Sequence, residues 1–364
     1  MTLSNVHQGI AALQPYAPGK PIDELARELG ITDIIKLASN ENPRGPGEQV
    51  QAAVRAASAE LSRYPDGSGY ALKAALARHL GVSTAQLTLG NGSNDVLDLV
   101  ARLALAPGYE AVIADHSFVV YRLATVSAGG TLVTVPAKNY GADLDAMLAA
   151  VNDNTRVVFL ANPNNPTGTW VTADALKGFL DALPERVWMV LDEAYFEYVE
   201  DPAYPNAMAW LDTYPNLIIT RTFSKVYGLA ALRLGYSVSS AAMADLLNRA
   251  RQPFNCSSVA LAAGVAALAD QEYTATSVAM NNAGMAQLTA AFDALGLPYI
   301  PSAGNFVAVD CGRPATEVFQ ALLQLGVITR PIAEYGLPDH LRVSIGLEAE
   351  NARFLAAFRQ VLTD

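Results

Sequence analysis

The feature that most constrains the fold is an alternation of short apolar runs with helical patterns between residues 87 and 240. The apolar runs predict strands at 87–89, 111–115, 131–135, 157–161, 187–192, 217–220 and 234–238. Continuous apolar runs of this length between helices are typical of a parallel sheet that is covered on both faces. The alternation therefore predicts an α/β domain with a mostly parallel central sheet flanked by helices.

The pattern changes after about residue 250. Helical patterns at 257–268, 274–295, 315–325 and 348–361 then surround only two strand-like runs, at 306–310 and 341–345. This pattern of many helices and few strands predicts a smaller α+β domain, completed by a proline-rich N-terminal arm. We therefore expect an arm at 1–42 that packs with the small domain near the active site, a large domain at 43–255 and a small domain at 256–364.

Composition restricts the class of protein. Of the 364 residues, 51% are hydrophobic and 16% are charged, which argues against intrinsic disorder. The 35 acidic and 24 basic side chains give a net charge of −11, which argues against nucleic-acid binding because phosphate backbones attract basic surfaces. Two cysteines provide no disulfide framework. The sequence shows neither a signal-peptide pattern nor an apolar run of about 18 residues, so we expect a cytoplasmic protein without a membrane segment.

The first candidate motif, residues 90–94 (GNGSN), lies between the strand at 87–89 and an amphipathic helix at about 94–105. Glycine allows a tight turn, and the N–H groups at the start of a helix suit a phosphate. The motif is not a dinucleotide fingerprint, because Asp95 replaces the last glycine, and it is not a P-loop, because no Gly-Lys-Ser/Thr follows. Taken alone, an ordinary turn with a helix cap explains it at least as well.

The second motif, residues 162–168 (NPNNPTG), follows the strand at 157–161. Its two prolines fix the backbone, while its asparagines offer donors and acceptors at the carboxyl end of a strand. Open α/β sheets bind ligands at that end. The alternative is a rigid turn without a ligand, which composition does not exclude.

The third motif contains Asp192, which ends the apolar run at 187–191. A carboxylate that emerges from a buried strand is costly unless it meets a cation or hydrogen-bond donors. It either caps a helix or forms an ion pair within the protein, or it pairs with a protonated nitrogen of a ligand. The sequence leaves both interpretations open.

The fourth motif, residues 221–225 (RTFSK), places Lys225 where the strand at 217–220 meets a loop. A lysine in a desolvated site has a lowered pKa and can form a Schiff base with a carbonyl. Thr222, Ser224 and Arg233 add hydroxyl groups and a permanent cation, which suit a phosphate ester. For a lysine considered by itself, an exposed surface position is the alternative.

The four motifs together are more informative than each alone. Each follows the carboxyl end of a predicted strand, so they are expected to lie at one edge of the sheet. The aldehyde of pyridoxal phosphate needs a lysine, its ring nitrogen an aspartate, its phenolic oxygen a donor and its phosphate a binding turn with an arginine. The combination therefore predicts a pyridoxal-phosphate enzyme.

The chain resembles the fold type I pyridoxal-phosphate enzymes of the aspartate aminotransferase superfamily and, within them, the histidinol-phosphate aminotransferase branch. The motifs that carry the resemblance are 15–21 (PYAPGKP), 37–43 (LASNENP), 64–66 (YPD), 90–93 (GNGS), 165–168 (NPTG), 192–195 (DEAY), 222–225 (TFSK), 251–255 (RQPFN) and 341–346 (LRVSIG). They extend over nearly the whole chain, and the motifs nearest the N-terminus narrow the resemblance to this branch.

The resemblance implies roles in binding the cofactor ring. Lys225 would bind the cofactor covalently and later move a proton, and Asp192 would keep the ring nitrogen protonated. Asn165 and Tyr195 would hydrogen-bond the phenolic oxygen. Phe118 would stack on the ring, at a position where the family often has tyrosine.

The resemblance also implies how the phosphate is held. The groups expected to hold it are the main chain of Ser93 and Asn94 and the side chains of Thr222, Ser224 and Arg233. Tyr64 resembles the tyrosine that reaches the cofactor phosphate of the neighbouring subunit, so a homodimer is implied.

For the substrate, Arg342 matches the arginine that binds the α-carboxylate of the amino donor or, with histidinol phosphate, the phosphate ester. Arg330 and Tyr16 resemble residues that complete this anion pocket. Asn40 and Asn42 are expected either to line the arm near the active site or only to form a turn, and His116 is interpreted as structural.

The resemblance implies a reversible ping-pong transfer of the amino group in histidine biosynthesis. L-Histidinol phosphate and 2-oxoglutarate would give imidazole acetol phosphate and L-glutamate. Two alternatives remain at this point: an aromatic amino-acid aminotransferase of the same family and, less favoured, a decarboxylase of a phosphorylated amino acid.

Overall fold

The computed structural model describes residues 8–15 and 18–363. Its α-helices are α1 Gln8–Ala12, α2 Ile22–Leu29, α3 Glu48–Ala57, α4 Tyr70–Leu80, α5 Ser93–Ala104, α6 Val119–Ser127, α7 Leu144–Ala149, α8 Ala173–Ala182, α9 Ala241–Ala250, α10 Ser258–Ala269, α11 Gln271–Leu295, α12 Ala315–Gln324 and α13 Glu348–Thr363. Its strands are β1 Ile35–Lys36, β2 Leu87–Gly90, β3 Glu110–Ala114, β4 Thr131–Val135, β5 Thr155–Ala161, β6 Trp188–Asp192, β7 Leu217–Thr222, β8 Gly235–Ser239, β9 Tyr299–Ile300, β10 Phe306–Asp310, β11 Val327–Ile328, β12 Arg330–Ile332 and β13 Leu337–Ser344. Short 3₁₀ helices occupy Thr84–Gln86, Phe196–Tyr198, Ala207–Trp210, Ala230–Leu232 and Ala333–Tyr335.

A seven-stranded sheet has the order β2-β8-β7-β6-β5-β3-β4. Its strands from β7 to β4 pair in parallel, whereas β8 runs antiparallel to both β2 and β7. A parallel crossover usually needs a helix, and the β7–β8 connection carries only the short helix Ala230–Leu232. The chain therefore turns back beside β7, and this connection contains Lys225 and Arg233.

The α/β fold and the mostly parallel sheet predicted from the sequence are confirmed. Helices cover both faces, as β5 shows by the alternation of its side chains. Val157 and Phe159 pack in the core that contains residues of α5, α6 and α9, whereas Val158 and Leu160 pack in the core with α4, α8 and α10. Burial on both faces explains why these strands are continuously apolar.

The C-terminal part builds a smaller sheet, with the antiparallel order β12-β13-β10-β9, and β1 pairs with β11 in parallel. Buried residues of α11, α12 and α13 form its core. Helix α10 packs on α3 and α4, and its Ala260, Ala263 and Ala267 belong to the core of the larger sheet. No helix within residues 8–15 and 18–363 is both long and apolar enough to cross a membrane.

The order of the large sheet indicates where a ligand binds. Strands β4 and β5 follow each other in the chain but lie on opposite sides of β3. Open α/β sheets bind ligands outside the carboxyl ends of their strands at such a reversal. The loops after β3, β5, β6 and β7 meet at this edge, and they contain six residues predicted from the sequence, namely Phe118, Asn165, Tyr195, Ser224, Lys225 and Arg233. Asp192 and Thr222 are the last residues of β6 and β7.

Candidate active site

A cavity of about 250 Å³ opens at the carboxyl ends of β5, β6 and β7 and at the N-terminus of α5. Residues of β12 and β13 close its other side. The structure brings together there most of the residues predicted from the sequence, namely Ser93, Asn94, Phe118, Asn165, Asp192, Tyr195, Thr222, Ser224, Lys225, Arg233, Arg330 and Arg342. Isolated turns, caps and a surface lysine do not account for this convergence.

Asn42 is not among the described residues that line the cavity. Tyr16 lies outside the described residues. Asn42 is buried, and its Nδ2 donates hydrogen bonds to the carbonyl oxygen of Val226 at 2.8 Å and to the hydroxyls of Tyr273 and Ser277 at 3.1 Å each. These bonds anchor the segment before α3, so the structure gives Asn42 a place behind the site rather than in it.

Tyr64 also lies apart from the cavity. The residue is 83% exposed, and its ring stacks on that of Phe254, with ring centroids 4.7 Å apart. The two rings line a shallow surface groove together with Arg233, which also lines the cavity. Arg233 therefore links the exposed Tyr64 groove with the interior of the site.

Asp192 is held by two donors at the end of β6. Its Oδ2 accepts a hydrogen bond from the hydroxyl of Tyr121 and its Oδ1 from that of Thr220, both at 2.9 Å. Burial raises the pKa of Asp192, while these hydrogen bonds and the charge of Lys225 oppose that rise. The carboxylate is thus buried with donors on both oxygens, and a cation in the cavity would complete its environment.

Replacing Tyr121 with phenylalanine should shift the pH dependence of any reaction that needs Asp192 ionised. The variant lacks one donor to the carboxylate, so the pKa of Asp192 rises further and a higher pH is needed to ionise it. We expect the acidic limb of the kcat/KM profile to move to higher pH, with about a tenfold loss near neutrality. Y214F is the matched control, because Tyr214 donates to the distant Asp181; equal shifts in both variants would contradict this role.

Lys225 lies in the connection that follows β7. Its Nζ is 3.4 Å from the carbonyl oxygen of Ser39 and 5.5 Å from the centre of the Tyr195 ring. Burial lowers the pKa of Lys225 to about 8, and the positive charges of Arg342 and Arg233 add to the effect. Its amine is therefore far more often neutral near physiological pH than an ordinary lysine, and a neutral amine is a nucleophile and a base.

The N-terminus of α5 forms one wall of an anion-binding corner. Gly92, with φ 79°, precedes Ser93, and a Cβ at Gly92 would lie 2.5 Å from Nη2 of Arg233. A Cβ at Gly235 would lie 2.3 Å from the main-chain nitrogen of Ser93. Both glycines therefore allow close approach between the helix start, the guanidinium and β8. Free N–H groups at a helix start and a nearby arginine suit a phosphate.

Hydroxyl groups of the Lys225 connection face the same corner. The Ser224 hydroxyl accepts a hydrogen bond from Nη1 of Arg233 at 3.3 Å, and the Thr222 hydroxyl accepts one from the main-chain nitrogen of Ser224 at 3.1 Å. Thr222 and Ser224 are buried and line the cavity. The corner thus combines two hydroxyls, one guanidinium and one helix start.

Asn165 and Tyr195 lie on the side of the cavity that faces the small sheet. The side-chain oxygen of Asn165 accepts a hydrogen bond from Nη1 of Arg342 at 2.5 Å. The hydroxyl of Tyr195 accepts one from Nδ2 of Asn40 at 2.9 Å. Amide and phenol groups are thus oriented by neighbours from distant parts of the chain, as a preorganised binding site requires.

Arg330 and Arg342 are direct neighbours across β12 and β13, where their Cα atoms are register partners. Side chains of such a pair lie on the same face of a sheet, here the face that borders the cavity. Nη2 of Arg342 donates to the carbonyl oxygen of Ala38 at 2.7 Å. Nη2 of Arg330 forms an ion pair with Oε1 of Glu334 at 2.5 Å. Two adjacent guanidinium groups form a site for a carboxylate or a phosphate ester.

Sequence reasoning missed several residues of the site. Tyr121 supports Asp192, and Ser39, Glu41 and Tyr335 line the cavity. Asn40, for which the sequence left two interpretations open, lines the cavity and orients Tyr195. The motif at 37–43 indicated that this arm lies near the site, but it did not show which of Asn40 and Asn42 lines the cavity. For Tyr121 the sequence carries no local signal, because its partner Asp192 lies 71 positions further along the chain.

Comparison with known proteins defines the class. The model of the family "Aminotransferase class I and II" matches residues 32–358. Because this match covers most of the chain, the protein belongs to the class I and II aminotransferase family.

Individual relatives show which kind of aminotransferase the chain is similar to. The chain is 58% identical to histidinol-phosphate aminotransferase 2 of Pseudomonas fluorescens over 362 residues, 99% of this chain and 98% of the relative. It is also 58% identical to histidinol-phosphate aminotransferase 2 of Pseudomonas aeruginosa over the same shares. The crystal structure of histidinol-phosphate aminotransferase from Sinorhizobium meliloti in complex with pyridoxal-5'-phosphate is similar with a TM-score of 0.90 and 34% identity, covering 100% of this chain and 98% of that chain.

Proposed function

We propose that this aminotransferase uses pyridoxal phosphate to transfer the amino group reversibly from L-histidinol phosphate to 2-oxoglutarate. The products are imidazole acetol phosphate and L-glutamate. The observation that carries the proposal is the convergence of Lys225, Asp192 and the Arg330–Arg342 pair on one cavity. A reactive amine, a buried acid and a double anion site are what a transaminase for phosphorylated or carboxylated amino donors needs. The names and identities of the relatives support the substrate.

The residues of the cavity fit the cofactor. The corner formed by the start of α5, Thr222, Ser224 and Arg233 would hold its phosphate, and Asp192 would pair with its ring nitrogen. Asn165 and Tyr195 would donate to the phenolic oxygen, and Phe118 would cover one face of the ring. When bound, pyridoxal phosphate supplies an aldehyde for the amino group and an electron-withdrawing ring.

Different residues of the chain would carry out different parts of the reaction. In its neutral form the amine of Lys225, whose pKa is lowered to about 8, would take the proton from Cα of the amino donor and deliver it to C4′, the aldehyde carbon of the cofactor. Asp192 would face the protonated ring nitrogen, and that positive charge would favour the ionised carboxylate against the effect of burial, which raises the pKa of Asp192. Arg342 and Arg330 would hold the anionic end of the donor and so limit its orientations relative to the amine of Lys225.

The assembly and domain division form part of the same proposal. An exposed aromatic pair, Tyr64 and Phe254, beside Arg233 suits a homodimer in which Tyr64 contacts the partner's cofactor phosphate. We place the boundary between the large and small domains after α10 rather than at residue 255, because α10 packs in the core of the larger sheet. We further propose that the dimer works in the cytoplasm.

The proposal is tested by product analysis of the purified holoenzyme. With L-histidinol phosphate and 2-oxoglutarate, we expect stoichiometric L-glutamate and imidazole acetol phosphate, and no turnover without the keto acid. Carbon dioxide release in the absence of 2-oxoglutarate would instead identify a decarboxylase. Turnover with phenylalanine or tyrosine but not with histidinol phosphate would assign an aromatic aminotransferase.

Replacing Arg330 with glutamine should weaken binding of the phosphate ester. The variant loses one charged donor of the anion site but keeps Arg342, so we expect KM for L-histidinol phosphate to rise about 10- to 100-fold with a smaller change in kcat. Steady-state kinetics on both substrates measures this. R249Q is the control, because Arg249 is exposed on α9 and pairs only with surface Asp245 in the ion pairs described. An unchanged KM in R330Q would remove Arg330 from the anion site.

A further inference from the structure

His116 makes a contact that the chemistry above does not use. It lies in the loop between β3 and α6, and its Nδ1 is 2.5 Å from the main-chain carbonyl oxygen of Tyr335. A carbonyl oxygen only accepts hydrogen bonds, so Nδ1 must be the donor. The His116 side chain is 15% exposed, which shields the bond from most competing water.

The His116 backbone is fixed on the side of the large sheet. Its φ of 55° lies in the left-handed region, which histidine tolerates better than most residues. Its carbonyl oxygen accepts a hydrogen bond from Nδ2 of Asn164 at 3.0 Å, and Nδ2 also donates to the hydroxyl of Thr167 at 2.8 Å. The loop after β5 therefore holds the loop after β3 and sets the direction of the imidazole.

The other end of the contact belongs to the small sheet. Tyr335 ends the short helix Ala333–Tyr335, which directly follows β12, and Gly336 continues with φ 80°. A Cβ at Gly336 would lie 3.3 Å from Cε1 of His116, so the backbone and the ring are closely packed. The ion pair between Arg330 and Glu334 ties the start of this segment to its end. The histidine thus holds this segment at Tyr335, and the ion pair connects the neighbouring Glu334 with Arg330.

The two sides of the contact both line the cavity. Phe118 lies two residues after His116, and Arg330 and Tyr335 belong to the segment that His116 holds. We infer that His116 is a positioning residue, whose bond to the Tyr335 carbonyl sets the separation between the Phe118 side of the cavity and the Arg330 side. The identity of the anion that Arg330 binds rests on the proposed function, whereas the contact itself does not.

Three substitutions of His116 separate the hydrogen bond from other effects. H116N keeps a donor at the Nδ position and tolerates the left-handed backbone, so it should behave like the unmodified protein. H116A removes the donor without adding charge. H116D has the shape of asparagine but replaces its donor with a negative charge beside Asp115, so agreement between H116D and H116A repeats the test without a loss of side-chain volume. H79A is the control, because His79 is exposed on α4.

Kinetics of the holoenzyme give the first measurement. For H116A we expect KM for L-histidinol phosphate to rise about tenfold while kcat stays within about twofold, because the anion site is displaced but the reacting groups are not. H116N and H79A should keep the KM of the unmodified enzyme. A KM in H116A equal to that of H116N would overturn the inference.

Hydrogen–deuterium exchange gives a measurement that does not depend on the substrate. We expect amides of residues 330–337 to exchange several-fold faster in H116A than in H116N, while cofactor affinity and exchange in α5 stay the same. Equal exchange of residues 330–337 in both variants would overturn the positioning role. If neither the unmodified enzyme nor any variant turns over histidinol phosphate, the proposed function fails. The comparison of exchange at residues 330–337 between H116A and H116N still tests the inference about His116.

Discussion

Replacing Lys225 with alanine is expected to lower kcat for transamination by at least about 10⁴-fold. Lys225 is the lysine that lines the cavity, and its lowered pKa leaves a substantial neutral fraction at physiological pH. The alanine variant loses both the amine that binds the cofactor and the base that takes the Cα proton. The phosphate corner at α5 remains, so the variant should still bind the cofactor non-covalently.

The measurement for Lys225 combines turnover with absorbance spectroscopy. K225A should lack the visible absorbance that depends on covalent attachment of the cofactor to lysine, and its thermal stability should change little. K177A is the matched control, because Lys177 is exposed on α8 and pairs with Asp181. Turnover of K225A within tenfold of the control would contradict the mechanism.

Replacing Asp192 with asparagine should cost about 10³-fold in kcat with the fold preserved. Asparagine has nearly the same shape and can still accept the hydrogen bond from Thr220, but it carries no charge opposite the ring nitrogen. The cation that forms there loses its buried partner, so the ring withdraws electrons less strongly. We expect KM and cofactor binding to change far less, since neither Arg342 nor the phosphate corner is altered.

A control for Asp192 is available on the surface. D245N neutralises an exposed aspartate on α9 that pairs with Arg249, and it should leave the kinetics unchanged. The contrast with Y121F is also informative, because that variant keeps the charge of Asp192 and loses only one donor. A kcat of D192N equal to that of Y121F would show that the charge itself contributes nothing.

The sequence predicts the central fold well because its signals are local. Strands buried on both faces are continuously apolar, and the strands predicted at 131–135 and 306–310 have those bounds in the structure. Strands β1, β9, β11 and β12 were not predicted, because they are only two or three residues long, and β1 and β11 in addition pair with each other across most of the chain. Strand β8 runs antiparallel to β7 because the connection between them contains no α-helix. The alternation of apolar runs and helical patterns does not indicate the direction of this strand.

The site was predictable where its residues lie in short motifs. Lys225, Thr222 and Ser224 share one motif, and the structure places all three on the cavity. Supporting contacts were not predictable, because they join positions that only folding brings together. The 2.9 Å hydrogen bond between Tyr121 and Asp192 is one such contact.

The net charge of −11 illustrates the same difference between global and local properties. It argues against a polyanionic partner but says nothing about a single small anion. Lys225, Arg233, Arg330 and Arg342 all line one cavity, so the local field there is set by these cations and not by the sum over the surface. An acidic protein can therefore hold a dianionic cofactor and an anionic substrate.

The most direct test of the central claim is the ratio of kcat/KM for L-histidinol phosphate to that for L-phenylalanine, both measured with 2-oxoglutarate as acceptor. A pocket built to bind a phosphate ester through Arg330 and Arg342 should favour histidinol phosphate by at least about 100-fold. A ratio below one would contradict the account and make an aromatic amino acid the principal donor.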